Sequence, residues 1–287
     1  MRRERPQPRG YVLVTVLVLV LIAGLAAAAA VRHSMDESLS AQASLRDVQY
    51  RWGALTLERA LLPSAGRLIE AYEEELRRPV AARTFHVALG QLEFEVRLED
   101  EQAKVNAGRL LGDVADLPAA ERKLRELLSG TDAAGRVRVR GATPDAELPR
   151  LGSYAQIVEQ CGARELFRQN DVRGDGLADR LTCWGDGRLN VYRASPASLR
   201  WALSPAVDLA RVQELAALRD QVPRLGLSQM LDRLELTDAQ RHHADGALTE
   251  RSRCHSVWTV ARSRGFARFR LSIADASGSA GTCTWEW

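Results

Sequence analysis

The sequence predicts an α+β protein: one very long N-terminal helix, antiparallel strands, and a large, mostly helical insert between the strands. Three observations predict it. Tyr11–Val31 carries no charge, and apolar residues then recur at mostly three- and four-residue steps through Leu39, Leu45, Val48, Trp52, Leu55 and Leu62. Apolar and polar residues alternate strictly over Leu92–Glu99 and again over Phe266–Ile273. Between these strands, about 130 residues read as short helices and loops.

Met1–Gly10, MRRERPQPRG, holds four arginines and one glutamate and ends in glycine. The uncharged stretch behind it is long enough for one helical crossing of a bilayer. The basic leader stays cytoplasmic, so everything after Arg32 is expected outside the membrane. The alanines of Ala26–Ala30 also offer A-x-A sites, so an ordinary secretory signal and an uncleaved anchor compete with a processed leader. Read as one helix ending at Pro63, Tyr11–Leu62 is about 78 Å long, and its outer half carries an apolar stripe suited to a sheet.

An amphipathic stretch, Arg67–Arg78, stops at Pro79. Gly90 joins a short strand, Thr84–Leu89, to Leu92–Glu99 in a hairpin. Leu92, Phe94, Val96 and Leu98 are expected on the long helix, and Glu93, Glu95, Arg97 and Glu99 in water. A helix near Pro118–Leu128 leads to a loop over Gly130–Pro149. Tyr154–Cys161 and Arg164–Phe167 read as short helices. Ser195 caps Pro196–Leu203, Val207–Asp220 ends before Pro223, and Leu227–Leu234 follows. Cys254–Ala261 and Phe266–Ile273 flank a turn at Arg264-Gly265, and the closing TCTWEW puts Cys283, Trp285 and Trp287 on one strand face. The divisions expected are 1–10, 11–31, 32–100, 101–235 for the insert and 236–287 for the closing strands.

The net charge of +3 equals that of the leader alone, so the remaining chain is formally neutral. It has no electrostatic footprint of a nucleic-acid binder. Ser195–Asp220 has a helix–turn–helix outline, but the turn Ser204-Pro205-Ala206 lacks the glycines that let backbone amides approach a phosphate. The histidines, His33, His86, His242, His243 and His255, show no zinc spacing, and no acid–base pair stands out. An enzyme is not expected.

Four cysteines, Cys161, Cys183, Cys254 and Cys283, lie beyond the apolar stretch. An even count in an oxidising compartment predicts two disulfides. Three connectivities are open; Cys161–Cys183 and Cys254–Cys283 are the pairs expected. Cys254 shares strand parity with Trp258, and Cys283 with Trp285. The stretch from Asp171 has calcium-loop spacing. Asp171, Asp175 and Asp179 fall at positions 1, 5 and 9, the Leu177 carbonyl at 7, and Gly176 at 6. Arg173 at position 3 and Thr182 at position 12 remove two usual donors; Asn170 and Asp186 are candidate replacements. A solvated Asp-Gly turn is the alternative.

Four blocks carry a family resemblance: RGYVLVTVLVLV (Arg9–Val20), VRLEDEQAKVNAGRLL (Val96–Leu111), ELPRLGSYAQIVEQCGARELF (Glu147–Phe167) and LTCWGDGRLNVYRASPASLRWAL (Leu181–Leu203). In this order they resemble the minor pseudopilin K family of type II secretion (general secretion pathway protein K). Tyr192 stands where the family usually has a second Asn, and Arg241–Arg253 has no match to its pattern. The resemblance implies a pilin-like fold, with the long helix on an antiparallel sheet interrupted by the insert. It implies cleavage by prepilin peptidase between Gly10 and Tyr11, methylation of Tyr11, a single pass through the bacterial inner membrane and a periplasmic head. Other minor pseudopilins and the major pseudopilin are the implied partners, and calcium the implied ligand of the insert. Position five after cleavage is Thr15, where most pilin-like subunits carry a Glu that neutralises the N-terminal amine of the subunit above. Threonine cannot, which fits the fibre tip that the family occupies. A secreted or membrane-anchored calcium-binding module and a membrane-tethered DNA-uptake receptor are the alternatives.

Overall fold

The computed structural model describes residues 9–112, 116–131, 133–140, 152–159, 162, 166, 176–204, 206–222, 225–263, 266–276 and 283–286. The chain divides into two units, Met1–Trp52 and Gly53–Trp287.

The described part of the first unit is helical throughout, the beginning of α1 (Arg9–Leu61). An 18-residue window near its start reaches a mean hydropathy of 2.9, and the helix is long and apolar enough to cross a membrane. Leu39, Leu45, Val48 and Trp52 are exposed on this helix. In the second unit the helix-side face of the sheet is filled by later residues: Ala54, Leu57, Leu62, Ala65 and Ile69 are all buried.

Within the second unit, α1 stops at Leu61, a 3-10 turn spans Leu62–Ser64 with Pro63 inside it, and α2 (Ala65–Leu76) follows. The pyrrolidine ring forbids continuation of the helix through that point. α2 ends where Arg77 takes a left-handed conformation, φ 54°. The sheet has five antiparallel strands in the order β1 (Ala82–Leu89), β2 (Leu92–Asp100), β7 (Cys254–Ser263), β8 (Phe266–Asp275) and β9 (Cys283–Glu286). Gly90, at φ +62°, closes the β1–β2 hairpin. β2 then pairs with β7 from Glu93↔Arg262 to Asp100↔His255, so the sheet forms across the whole insert.

The alternation in β2 needs a correction on its polar side. Phe94, Val96 and Leu98 are fully buried as expected, but Glu95 and Glu99 are buried too, and Arg97 nearly so. Trp258, Val260, Phe269, Leu271 and Ile273 on the neighbouring strands join the insert in one apolar core with Leu124, Leu128 and Ile157. Both faces of the sheet are therefore covered, and the charges of β2 lie beneath the insert rather than in water.

The insert has two lobes. The first contains β3 (Val105–Asn106), α3 (Ala107–Gly112), α4 (Leu117–Leu127), α5 (Leu177–Arg180) and β4 (Leu181–Thr182). Asp116 caps α4 by accepting from the Ala119 N–H. Tyr154–Gln156 is a 3-10 turn rather than a helix, and the chain after it pairs with 136–140: Arg138 N–H donates to the Ile157 carbonyl and Arg140 N–H to that of Gln156. Arg164–Phe167, the turn Arg264-Gly265 and most of Gly130–Pro149's second half fall outside the described residues, apart from Leu166.

The second lobe contains β5 (Leu189–Asn190), α6 (Pro196–Leu203), α7 (Leu209–Gln221), α8 (Leu227–Arg233), α9 (Asp238–Ala247) and β6 (Leu248–Thr249) around Leu199, Leu215, Met230 and Leu248. Ser195 caps α6 as expected, accepting from the Ser198 N–H at 3.0 Å. The expected boundary at residue 235 moves, because Ala244, Ala247 and Leu248 belong to this core and β6 pairs with β5. The insert thus runs to Thr249.

Candidate functional site

Two places in the molecule carry functional weight: the start of the apolar helix, and the polar seam where the insert joins the sheet. At the first, Gly10 and Tyr11 both lie within α1. Thr15 turns its hydroxyl back on its own helix, donating to the Tyr11 carbonyl at 2.9 Å. Its one proton is used there, and it has no charge to offer an amine.

The seam is built from the segment that follows β2 and the segment around Trp184–Arg193. Asp100 is wholly buried at the end of β2. One of its oxygens accepts from the Gln102 N–H; the other accepts from Ser252 Oγ at 2.5 Å and Arg193 Nη1 at 3.1 Å. Arg193 also grips Glu73 of α2 with two parallel bonds of 2.8 Å, so one guanidinium ties α2, the sheet and the second lobe. Gln102 donates to Asp186 Oδ1 at 2.8 Å and accepts from the Arg253 N–H at 2.5 Å. Asn106 donates to the Trp184 carbonyl, and its oxygen caps α3 by accepting from the Arg109 N–H. Asn190 accepts from the N–H groups of Tyr192 and Arg193.

Beside this lies a buried ion cluster. Lys104 Nζ donates to Glu99 Oε2 at 2.6 Å and to Glu101 Oε1 at 2.7 Å. Trp258 Nε1 donates to Glu99, Ser256 Oγ to Glu101, and Arg97 bridges Glu99 and Asp179. Burial opposes the Lys104 charge, but Glu101 and Glu99 outweigh it and raise its pKa. Burial likewise opposes ionisation of Glu99, yet Lys104 and Arg97 hold its pKa below the ordinary value. Glu101 goes the other way, raised by burial and then by Glu99, with Lys104 only partly compensating. Its second oxygen is buried without a hydrogen-bond partner. Its chemistry is cohesion: the five charges, Arg97, Glu99, Glu101, Lys104 and Asp179, are stable only together.

Of the expected calcium donors, Asp171, Asp175 and Asn170 lie outside the described residues. Leu177 opens α5, and its carbonyl accepts from the Leu181 N–H. Asp179 is committed: one oxygen to Arg97, the other to the Gly176 N–H at 2.9 Å. Asp186 is engaged by Gln102 and the Arg188 N–H. Asp179 and Asp186 are thus already engaged within the protein, and no cluster of three or more His, Cys, Asp or Glu suited to a metal occurs among the described residues.

Cys183 and Cys254 are free thiols, both pushed up in pKa by burial and then by Glu101. The expected Cys254–Cys283 bridge is corrected by topology. Cys254 is on β7, Cys283 pairs with Ile273 of β8, and β8 runs between them. Two strand spacings place the Cα atoms about 9 Å or more apart, beyond the ~7 Å limit for a disulfide. Cys161 lies outside the described residues.

The seam residues sit in two of the blocks that carried the resemblance, but sequence reasoning did not assign them this role. A usable signal was present: LEDEQAK places three acids and one lysine in seven residues with no glycine or proline to mark a loop.

No protein-family model matches the sequence, and no curated protein matches it. Among solved structures, a chain of the GspK-GspI-GspJ complex from the type 2 secretion system of enterotoxigenic Escherichia coli is similar at 16% identity and a TM-score of 0.49, covering 86% of this chain and 98% of that one.

Proposed function

We propose that this chain is a minor pseudopilin of a type II secretion system, anchored by α1 in the bacterial inner membrane with its head in the periplasm. It sits at the tip of the pseudopilus, supports fibre assembly with other minor pseudopilins and the major pseudopilin, and performs no catalysis. The observation that carries the reading is the junction of two features. A basic leader ending in Gly10 precedes an uncharged helix, and that helix ends on an antiparallel sheet whose strands β2 and β7 close around a large helical insert. The missing carboxylate at Thr15 supports the tip position, because a subunit without Glu there leaves the amine of any subunit above it unpaired in a low-dielectric bundle; the bond of Thr15 to its own backbone is the one a tolerated polar residue in a membrane helix makes. Calcium in the loop from Asp171 is part of the same proposal; the expected Cys161–Cys183 bridge is not, because Cys183 is a free thiol.

The test has two stages. Mass spectrometry of the mature N-terminus is expected to find methylated Tyr11; a start after Ala28 or Ala30 refutes the leader reading. Crosslinking in assembled fibres is expected to find the wild-type subunit only at the end and the Thr15→Glu variant within the shaft. Wild-type subunits throughout the shaft refute the tip.

A further inference from the structure

The insert contains a small cleft that the pseudopilin reading does not use. It opens between the lobes, lined by Asn106, Arg109, Lys123, Gly187, Trp201 and His243 with apolar residues behind them. Five elements, β3, α3, α4, α6 and α9, and the turn before β5 converge on it. The contacts inside are all to backbone carbonyls, as those of Arg188 are nearby. Arg109 Nη1 donates to the Gly246 carbonyl at 2.6 Å, Lys123 Nζ to the Leu110 carbonyl at 3.3 Å, and His243 Nε2 lies 3.3 Å from the Ala202 carbonyl. Among the described residues no carboxylate lines the cleft. Arg97, Lys104, Arg193 and Arg270 elsewhere in the head are each bonded to carboxylates.

Gly187 keeps this geometry. It stands at φ +81°, and a Cβ there would come within 3.2 Å of Arg109 Cβ. The arginine stem is thus packed against bare backbone, with unused guanidinium donors left over after its one carbonyl bond. The interior is about 30 Å³, room for roughly two water-sized groups, the bulk of one carboxylate. Lys123 and Trp201 are half-buried, so a side chain can enter from solvent, and Trp201, Leu110 and Leu189 offer an apolar wall to the residue beside it.

We propose that this cleft binds a single carboxylate, presented by a Glu or Asp next to an apolar residue on a partner protein. The proposal does not rest on the pseudopilin reading. Arg109 and Lys123 supply charge-assisted hydrogen bonds, and Trp201 packs on the neighbouring residue.

The experiment titrates the full chain, in detergent, with N-acetyl-Leu-Glu-amide, read by the imidazole NMR signal of His243. A saturable shift is expected. The Leu-Gln analogue is expected to bind at least about tenfold more weakly, the size of one charged hydrogen bond, and inorganic phosphate more weakly than the peptide because it brings no apolar residue to Trp201. Lys123→Met should weaken the Leu-Glu peptide about tenfold, Lys123→Arg should retain it, and neither should move the melting temperature, since Lys123 is partly exposed. The absence of a saturable shift overturns the proposal. So does equal binding of the Gln analogue, phosphate binding as tight as the peptide, or an unchanged affinity in Lys123→Met.

Discussion

Replacing Lys104 by methionine tests whether the ion cluster holds the insert to the sheet. The substitution keeps the length of the side chain and removes only the charge and its three donors. Glu99 and Glu101, at 1% and 0% exposure, then keep their burial and lose their shared cation. Removing one member of a buried ion pair costs about 3–5 kcal/mol. For a folded unit of this size, that corresponds to a fall in melting temperature of roughly 6–20 °C. The signs of the pKa shifts set the pH window. The Lys104 pKa is raised on folding, so its contribution is complete below the unfolded value, about 10.4, and is lost only above the folded one. The Glu99 pKa is lowered, so its contribution is complete above the unfolded value, about 4.3, and is lost as the pH falls through the folded one. At pH 7 both are fully present, and Glu101, raised, opposes them. Urea unfolding of the full chain in detergent at pH 7, followed by tryptophan fluorescence, measures the difference. Adding Glu99→Gln and Glu101→Gln to the Lys104→Met variant should recover most of the loss, since whole clusters are often replaceable. A loss below about 1 kcal/mol for Lys104→Met alone would refute the cohesive role.

Gly53→Ala should destabilise the head by about 1–2 kcal/mol despite the better helix former, because its Cβ would lie 2.5 Å from Cζ of the fully buried Phe94; chemical denaturation measures it, and Phe94→Leu should partly rescue it. Wild-type stability should decline as the pH falls below about 6.5, because burial, with Arg193 adding to it and Asp100 and Glu70 opposing, lowers the His255 pKa and the unfolded chain takes up the proton first. Melting curves from pH 8 to 5 should show a slope of up to about 1.4 kcal/mol per pH unit that His255→Gln removes. Millimolar calcium should raise the melting temperature of the full chain over chelator, and Asp175→Ala should abolish the rise; coincident curves would favour the Asp-Gly turn.

The elements most legible in the sequence were those whose signal is local. Leu92–Glu99 alternates because β2 packs one face on Gly53, Ala54 and α2, and Ser195 precedes Pro196 because a helix starts there. α9 was equally local and was missed, although Thr237 and Gln240 form a capping box that the sequence spells out. The polar seam was beyond local reading. Glu99 and Asp100 look like solvated charges until an insert is known to cover them, and the residues that meet them, Asp179 through Arg97 and Arg193 directly, stand far away in the chain. The two-residue parallel pairs β3–β4 and β5–β6 have no periodicity to read. The Cys254–Cys283 expectation failed for a related reason: strand parity fixes a face, but not which strand lies between.

The register of β2 against β7 also has a temporal consequence. Asp100 and His255 are partners, so the sheet cannot close until about 150 further residues have been made. At roughly 5–20 residues per second, synthesis leaves the β1–β2 hairpin waiting with an open edge for on the order of ten seconds. The second lobe can pack in that interval, because its core lies wholly within the insert, whereas the first lobe shares its core with strands still to come. The last strands then complete that core, with Trp258 arriving to meet Glu99. In topological terms the insert is a loop that could be excised between neighbouring strand ends. In kinetic terms it is the template on which the far half of the sheet is laid down, so a shortened chain would keep the register and lose the partner that makes the register worth adopting.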